Sequence, residues 1–302
     1  MLPFSSIDFN RPVSPTVAAP IEQDRLARGA PPSCHTWRNA NIYDSDRKDN
    51  LIGGLWIAEG ITNANLYSML EIFCTFNDTF YLRHFSGQLV KRDQNPLQPG
   101  DYLIATNGSI TVTHEIPLLR NSPGSLQAGI RSESFRDAVR ERDRRCILSD
   151  RLALMARYGY WDSFEATYIF PLEYEENWND LGYRNWITVP PATKSDGSIN
   201  SPQNGILLDL TESILFTSHQ VSIDPDDNYK IVCFTPDTIG LNLAGRHLDQ
   251  RFLEDPLRPV DQVLRWHFRQ AVLIHVRGAG ESAIGMYFPK PSCLDDYDWS
   301  EC

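Results

Sequence analysis

The hydrophobic residues between positions 34 and 120 recur in short alternating or continuous runs, which is the pattern of β-strands. Two such runs, residues 36–44 and 51–60, are bounded by Asp, Asn and Gly and predict a hairpin. The next segment predicts one amphipathic helix, capped by Thr62 or Asn63, with apolar residues at helical spacing at Leu66, Met69, Leu70 and Phe73. Strand patterns then resume at residues 79–92, 101–107 and 109–118.

This order of elements predicts an α+β protein whose first domain is β-rich and β-grasp-like and spans residues 34–120. Residues 1–33 contain six prolines and few large apolar residues, which is typical of an extended or disordered arm. Residues 121–130 have the composition of a linker. Beyond it we predict a second domain over residues 131–285 and an acidic tail over residues 286–302.

Charge argues against a nucleic-acid partner. The chain carries 28 Lys and Arg against 39 Asp and Glu, a net charge of −11, whereas a protein that binds a duplex needs positive surface to displace counterions from phosphates. A basic stretch at residues 135–145 interleaves its arginines with Asp and Glu. It predicts a solvated face, with intrahelical ion pairs, on a helix capped by Ser132 or Ser134.

Composition also limits the location of the protein. Its 41% apolar content includes no run of about twenty apolar residues, so we expect no membrane span. The N-terminal residues lack a basic segment followed by an apolar stretch, so we expect no secretory signal and a cytoplasmic location. None of the six cysteines forms a pair at the two-residue spacing of structural zinc sites, which predicts reduced thiols.

The second domain carries a series of blocks that resembles the fungal HNH-nuclease-like family, in this order and at this spacing. The blocks are RDRRCILSD, WDSFEATYIFPLEYEENW, SINSPQNGILLDL, SILF, SIDPDDNYKIVCF, HLDQRF and RPVDQVLRWHFRQAV. The resemblance spans about residues 131–280, and many ordered blocks are more specific than one short motif. It implies a ββα-metal domain with additional helices, in which a hairpin and a helix hold one divalent ion.

Set against the family pattern, this chain has a degenerate site. Members typically have Ala-Ala-His-Ile-Phe-Pro-Leu where this chain has residues 166–172, so the general-base histidine is replaced by Tyr168. A phenol titrates at about pH 10 and is a poor base at neutral pH. The middle asparagine is kept as Asn204, but the metal-binding histidine and the acidic residue of the pattern are replaced by Ser213 and Thr217. The resemblance therefore implies neither a metal site nor an active nuclease.

Another residue could rebuild a metal site. His219 lies six positions beyond Ser213, with Asp209 and Glu212 nearby in the sequence. The favoured alternative is that His219 is a polar residue on the strand-forming segment 218–223.

Some members of the family in fungal terpenoid pathways resemble inactive nucleases and act as cyclases. The resemblance thus implies a cofactor-free [4+2] cyclase of an apolar terpenoid precursor. A pericyclic reaction of this kind can be catalysed by uncharged hydrogen-bond donors and by holding the substrate in a folded conformation. The expected catalytic residues are Tyr168, Ser213, Thr217 and His219. The expected substrate-binding residues are Trp161, Phe164, Thr167, Phe170, Trp178, Trp186 and Asn204.

Two alternatives stay open. The aromatic rings can simply fill the core, and Tyr168 can plug the former cleft. The chain would then be a non-catalytic binding module that uses the β-rich domain or the helix at residues 258–272. In that helix a core stripe is flanked by Trp266 and His267, the stripe being Val260, Val263, Leu264, Phe268 and Val272. A residual metal-dependent nuclease is a third possibility.

Overall fold

The computed structural model describes residues 37–120, 132–191, 193 and 197–278. The predicted arm, linker and acidic tail lie outside the described residues. Among the described residues, no helix combines the length and the apolar character needed to cross a membrane. Their three cysteines, Cys74, Cys146 and Cys233, are buried free thiols.

The first part of the chain forms a five-stranded mixed sheet. Its strands and the short pair beside it are β1 Ala40–Asp44, β2 Leu51–Leu55, β3 Cys74–Phe76, β4 Phe80–His84, β5 Leu89–Val90, β6 Gly100–Thr106 and β7 Ile110–Val112. The order in the sheet is β2-β1-β6-β4-β5, with β1 and β6 parallel and the other pairs antiparallel. This central parallel pair, flanked by two hairpins, is the arrangement of a β-grasp sheet. Strands β3 and β7 form a separate antiparallel pair.

Helix α1, Asn63–Phe73, connects β2 to β3 and begins as the sequence predicts. The Thr62 hydroxyl accepts the backbone N–H of Asn65, and the Asn65 side chain accepts the backbone N–H of Thr62 at 3.0 Å. This reciprocal cap satisfies two N–H groups that a helix start otherwise leaves without partners. Tyr67 fixes the helix to the sheet, because its hydroxyl accepts from Leu82 N and donates to Val90 O, both at 2.8 Å.

The second part of the chain has more helices. Its elements are α2 Glu133–Asp143, β8 Phe164–Tyr168, α3 Glu175–Asp180, β9 Gly205–Asp209, α4 Leu210–Thr217, β10 Val221–Asp224, β11 Lys230–Cys233, α5 Gln250–Leu253 and α6 Asp261–His275. Strands β8 and β9 pair with each other, as do β10 and β11, and both pairs are antiparallel. The protein is therefore α+β, as predicted.

Helix α2 begins at the predicted Ser132 cap, but its basic face is not wholly solvated. Arg136 and Arg144 form the expected intrahelical pairs with acidic residues. Arg142, in contrast, is buried and pairs with Asp143. Its guanidinium also donates to the carbonyls of Pro202, Leu257 and Gly205 at 2.7–2.8 Å. A residue expected at the surface thus joins α2 to the β8–β9 hairpin.

Helix α6 joins the two parts of the chain within one compact unit. It packs against α1 and β10, and the backbone N–H of Gly54 donates to Val276 O just past its end. Its predicted core stripe is buried from Val263 onward. Trp266 and His267, which were expected to flank the stripe, are also buried, because α6 is covered on more than one side.

Candidate functional site

Helices α2 and α4 cover opposite faces of the β8–β9 hairpin. The register pairs Phe164 with Asp209 and Tyr168 with Gly205, and α4 follows β9 directly. This is the ββα arrangement expected from the sequence. Because consecutive side chains of a strand point to opposite faces, Thr167 meets α4 and Tyr168 meets α2. The two residues therefore face different neighbours.

Tyr168 is packed into the interior. Only 3% of it is exposed, and its ring stacks on Phe135 of α2 with centroids 3.8 Å apart. Its hydroxyl donates to Asn200 Oδ1 at 2.6 Å. Gly205, its partner in the register, leaves room for Phe135, since a Cβ there would lie 2.4 Å from the ring. The space beside Tyr168 is filled by side chains.

Two hydroxyls lie where the resemblance to HNH nucleases implies a metal site. Thr167 Oγ1 and Ser213 Oγ lie 2.8 Å apart, within hydrogen-bond distance, and both residues are buried. Thr217 Oγ1 donates to Ser213 O at 2.8 Å within its own helix. Divalent-ion sites in proteins usually include carboxylate, imidazole or thiolate ligands. In the part of the chain that the structure describes, no three His, Cys, Asp or Glu side chains gather into a possible metal site. The residues present do not fit a divalent ion.

Asn204 fastens the end of the hairpin where the chain leaves β8 and enters β9. Its side-chain oxygen accepts Phe170 N at 2.8 Å, and its amide nitrogen donates to Phe170 O at 3.1 Å and Ile199 O at 2.9 Å. The residue is fully buried. Both amide hydrogens are used by backbone carbonyls, so contact with a substrate, as predicted, would require this turn to open.

His219 does not lie on a strand, in contrast to the favoured interpretation of the sequence. It has φ +60°, and the backbone N–H groups of His219 and Gln220 donate to Phe216 O and Leu215 O. This pair of bonds is a Schellman motif, in which the left-handed position usually holds glycine. The motif ends α4 before β10 begins.

Within the described residues, no metal-binding cluster forms around His219 either. Its ring lies 4.6 Å from the ring of His267 and is buried. The two nearby carboxylates are used elsewhere, because Glu212 accepts from Cys146 Sγ at 2.6 Å and Asp209 pairs with Arg151.

Three histidines, His219, His267 and His275, are buried, and burial lowers the pKa of each. Burial lowers the pKa of His219 well below its usual value, and the neighbouring His267 lowers it further. Burial lowers the pKa of His267 to about 3 and that of His275 to about 4. His267 is held between Ser222 Oγ at 2.7 Å and Phe216 O at 3.0 Å.

Most of the predicted aromatic residues form core. Phe170 and Trp178 are fully buried with ring centroids 5.2 Å apart, and Trp178 Nε1 donates to Ser198 Oγ at 3.0 Å. Trp186 stacks on Tyr183 at the edge of this cluster, with centroids 4.0 Å apart. Trp161 is half-buried beneath the guanidinium of Arg140.

An open cavity of about 760 Å³ lies at the start of β8, away from Tyr168. Of the predicted residues, Phe164 lines it. The wall is mainly apolar, and its lining residues are Asp150, Arg151, Leu152, Ala153, Leu154, Met155, Tyr160, Asp162, Ser163 and Phe164. Sequence reasoning missed this site. The signal in the sequence was the run RLALMARYGY, in which Leu152, Leu154 and Met155 fit no single helix or strand period. In the structure all three residues are more than half exposed.

Comparison with known families covers two segments of the chain. Residues 37–111 match a domain of unknown function, DUF8573. Residues 146–224, which contain the ββα arrangement, match the HNH endonuclease family. No curated protein and no solved structure shows significant similarity to the chain. Residues 146–224 therefore form an HNH endonuclease-like domain.

Proposed function

We propose that this protein is a metal-independent cyclase that binds an apolar terpenoid precursor and catalyses its intramolecular [4+2] cycloaddition. The observation that carries the proposal is the apolar cavity of about 760 Å³ at the start of β8. Its size falls in the range of small-molecule sites, about 300–1,000 Å³, and a mostly apolar wall with few polar groups is typical of them.

A cycloaddition suits a site of this composition. The reaction needs no general base and no metal ion, and its barrier falls when a flexible substrate is held folded. Leu152, Leu154 and Met155 expose apolar surface at the cavity. A substrate that covers them removes this surface from water, and that burial provides the binding energy.

The reaction centre proposed at the cavity differs from the one expected at Tyr168 from the sequence. Phe164 lines the cavity, and Tyr168 lies four residues further along β8, roughly 13 Å at the rise of a strand. The buried bond from Tyr168 to Asn200 gives this tyrosine a structural role in the conformation observed. The hydrogen-bond donor to the substrate is therefore one of the residues that line the cavity.

A binding module is the second candidate, and one observation favours it. Leu210 and Ile214 are spaced one turn apart on the outer face of α4 and are 45% and 54% exposed. Leu210 lies beside the cavity, since its backbone N–H donates to Ser163 O. Exposed apolar residues that continue from a cavity are also typical of a protein-binding surface.

The test uses a synthetic diterpenoid that carries a diene and a carbonyl-activated alkene and that closes slowly, without enzyme, to a norbornene. Product is followed by mass spectrometry and NMR. We expect wild-type protein to accelerate ring closure and EDTA to leave the rate unchanged. Leu154→Asp should reduce the rate at least tenfold, because it puts a charge in the apolar wall.

The matched control is Leu181→Asp, which changes another exposed leucine, 58% against 69% for Leu154, outside the cavity lining. Its rate should equal that of wild type. No acceleration by wild-type protein, together with no binding of the substrate, would overturn the cyclase proposal and favour the binding module. A rate that EDTA abolishes and magnesium restores would overturn the metal-independent mechanism.

A further inference from the structure

We infer that Arg151 is the residue that binds and activates the hydrogen-bond acceptor of the substrate, and that this acceptor is an uncharged carbonyl. The inference rests on the proposed cyclase function and adds the donor and the chemical class of its ligand. Arg151 lines the cavity, and its side chain is 55% exposed.

The guanidinium of Arg151 is held from two sides. It lies over the ring of Phe164, 5.2 Å from the centroid, and its Nη1 pairs with Asp209 Oδ2. Asp209 is itself fixed, because its other oxygen accepts the backbone N–H of Thr211 at 3.1 Å as the N-cap of α4. A donor that is fixed before the ligand arrives needs little reorganisation during the reaction.

Part of the guanidinium remains for a ligand. Within the described residues, Arg151 uses Nη1 for Asp209, whereas Nε and Nη2 make no hydrogen bond. The planar guanidinium has five N–H groups in all. Its spare N–H groups can therefore donate to one acceptor without giving up the ion pair.

The charges around the cavity select against an anion. The lining contains one guanidinium, that of Arg151, and two carboxylates, those of Asp150 and Asp162. Asp150 is paired with Arg145 at 2.6 Å, and Arg151 is already paired with Asp209. A carboxylate ligand would meet this excess of negative charge, whereas a neutral carbonyl accepts from Arg151 without that repulsion.

The reaction is balanced without any co-reactant. A hydrogen bond from Arg151 to the carbonyl oxygen withdraws electron density from the conjugated alkene. Two carbon–carbon bonds then form between the alkene and the diene, and three double bonds become one. No atom leaves, no proton is transferred, and nothing is oxidised or reduced.

The test compares two matched probes, geranylgeranial and the C20 hydrocarbon that lacks its aldehyde, by displacement of Nile red from the full-length protein. Arg151→Ala should weaken binding of the aldehyde about tenfold, the value of one hydrogen bond to a charged donor. Binding of the hydrocarbon should change less than twofold. Geranylgeranoic acid should bind wild type more weakly than the aldehyde does.

Two further variants separate the donor role from packing. Asp209→Asn keeps the helix cap, since Asn caps as well as Asp does, but it removes the charge that holds Arg151. It should weaken aldehyde binding about threefold. Arg157→Ala removes an exposed arginine that lies over Tyr158 outside the cavity lining, and it should change neither affinity.

The outcomes are distinct. If Arg151→Ala lost affinity equally for both probes, Arg151 would contribute only packing to the cavity wall. That result would overturn this inference and leave the cavity as the binding site. Tighter binding of the acid than of the aldehyde would overturn the neutral-ligand assignment. Failure of wild type to bind any probe would overturn the proposed function together with the inference.

Discussion

The hydroxyls of Thr167 and Ser213 lie 2.8 Å apart between β8 and α4, within the residues that match the HNH endonuclease family. Thr167 Oγ1 also donates to Glu165 O at 3.3 Å, so Ser213 can donate to Thr167 and both hydroxyl hydrogens are used within the fold. Within the described residues they belong to no cluster of His, Cys, Asp or Glu that could hold a metal, so they offer little to a divalent cation.

We therefore predict that the protein neither binds Mg²⁺, Mn²⁺ or Zn²⁺ at this position nor cleaves plasmid DNA in their presence. Calorimetric titration and a nicking assay measure this. The double variant Ser213→His, Thr217→Asp puts two metal ligands one turn apart on α4 and is expected to bind Zn²⁺ more tightly than wild type does. Metal-stimulated cleavage by wild-type protein would contradict the interpretation of a degenerate site.

Tyr168→Phe removes the buried donor to Asn200 and should lower the free energy of unfolding by about 1 kcal/mol, with the rate of cyclisation unchanged. Urea denaturation and the cyclisation assay measure the two effects. Tyr183→Phe is the control, because the Tyr183 ring stacks in the same domain but its hydroxyl makes no hydrogen bond within the described residues. A lower rate at unchanged stability would instead support Tyr168 as the catalytic donor.

Arg142→Met should destabilise the protein by about 3–5 kcal/mol, because it leaves the buried carboxylate of Asp143 without its counter-charge. Asp143 also accepts Leu207 N, so the loss should extend into β9. Arg144→Ala breaks an exposed pair with Glu141 and should cost less than about 1 kcal/mol. Chemical denaturation measures both variants. Similar losses of unfolding free energy would show that the buried network stabilises the protein no more than the exposed pair does.

Stability should fall in mild acid because of the buried histidines. The pKa values of His219, His267 and His275 are lowered in the folded protein, so only the unfolded chain gains their protons below about pH 6.5. Their stabilising contribution is complete above that pH and is lost as the pH falls toward the folded values of about 4 and 3. Each histidine contributes a slope of about 1.4 kcal/mol per pH unit in this window.

Thermal denaturation between pH 8 and pH 4.5 measures this dependence. His267→Gln should make the curve shallower, whereas His247→Gln, which changes an exposed histidine, should leave its slope unchanged. A flat curve for wild-type protein would show that the three rings are already accessible to protons.

The elements that the sequence predicted correctly depend on residues close together in the chain. The Thr62 cap and the apolar spacing of α1 lie within one helix, and the β1–β2 hairpin joins neighbouring segments. The parallel pairing of β1 with β6 joins residues about sixty positions apart, which periodicity does not encode. The pattern of residues 218–223 predicts a strand at His219 and gives no sign of a left-handed turn, because that position normally contains glycine and here contains histidine.

The candidate site was harder to predict than the fold. Tyr168, Ser213 and Thr217 were identified by their alignment with the family pattern, but alternation along β8 puts Tyr168 and Thr167 on opposite faces of the hairpin. The cavity was missed because Leu154 and Met155 have the composition of core residues, and only the tertiary structure shows them exposed.

The side-chain amide of Asn204 bears on how proteins with an HNH endonuclease-like domain are classified. It fastens the hairpin through main-chain groups alone, so the architecture persists whichever side chains occupy the reactive positions. Similarity to the HNH endonuclease family therefore indicates that the backbone arrangement of the hairpin and helix is retained. It says little about chemistry, and each relative has to be judged by the residues at its own equivalents of positions 168, 213 and 217.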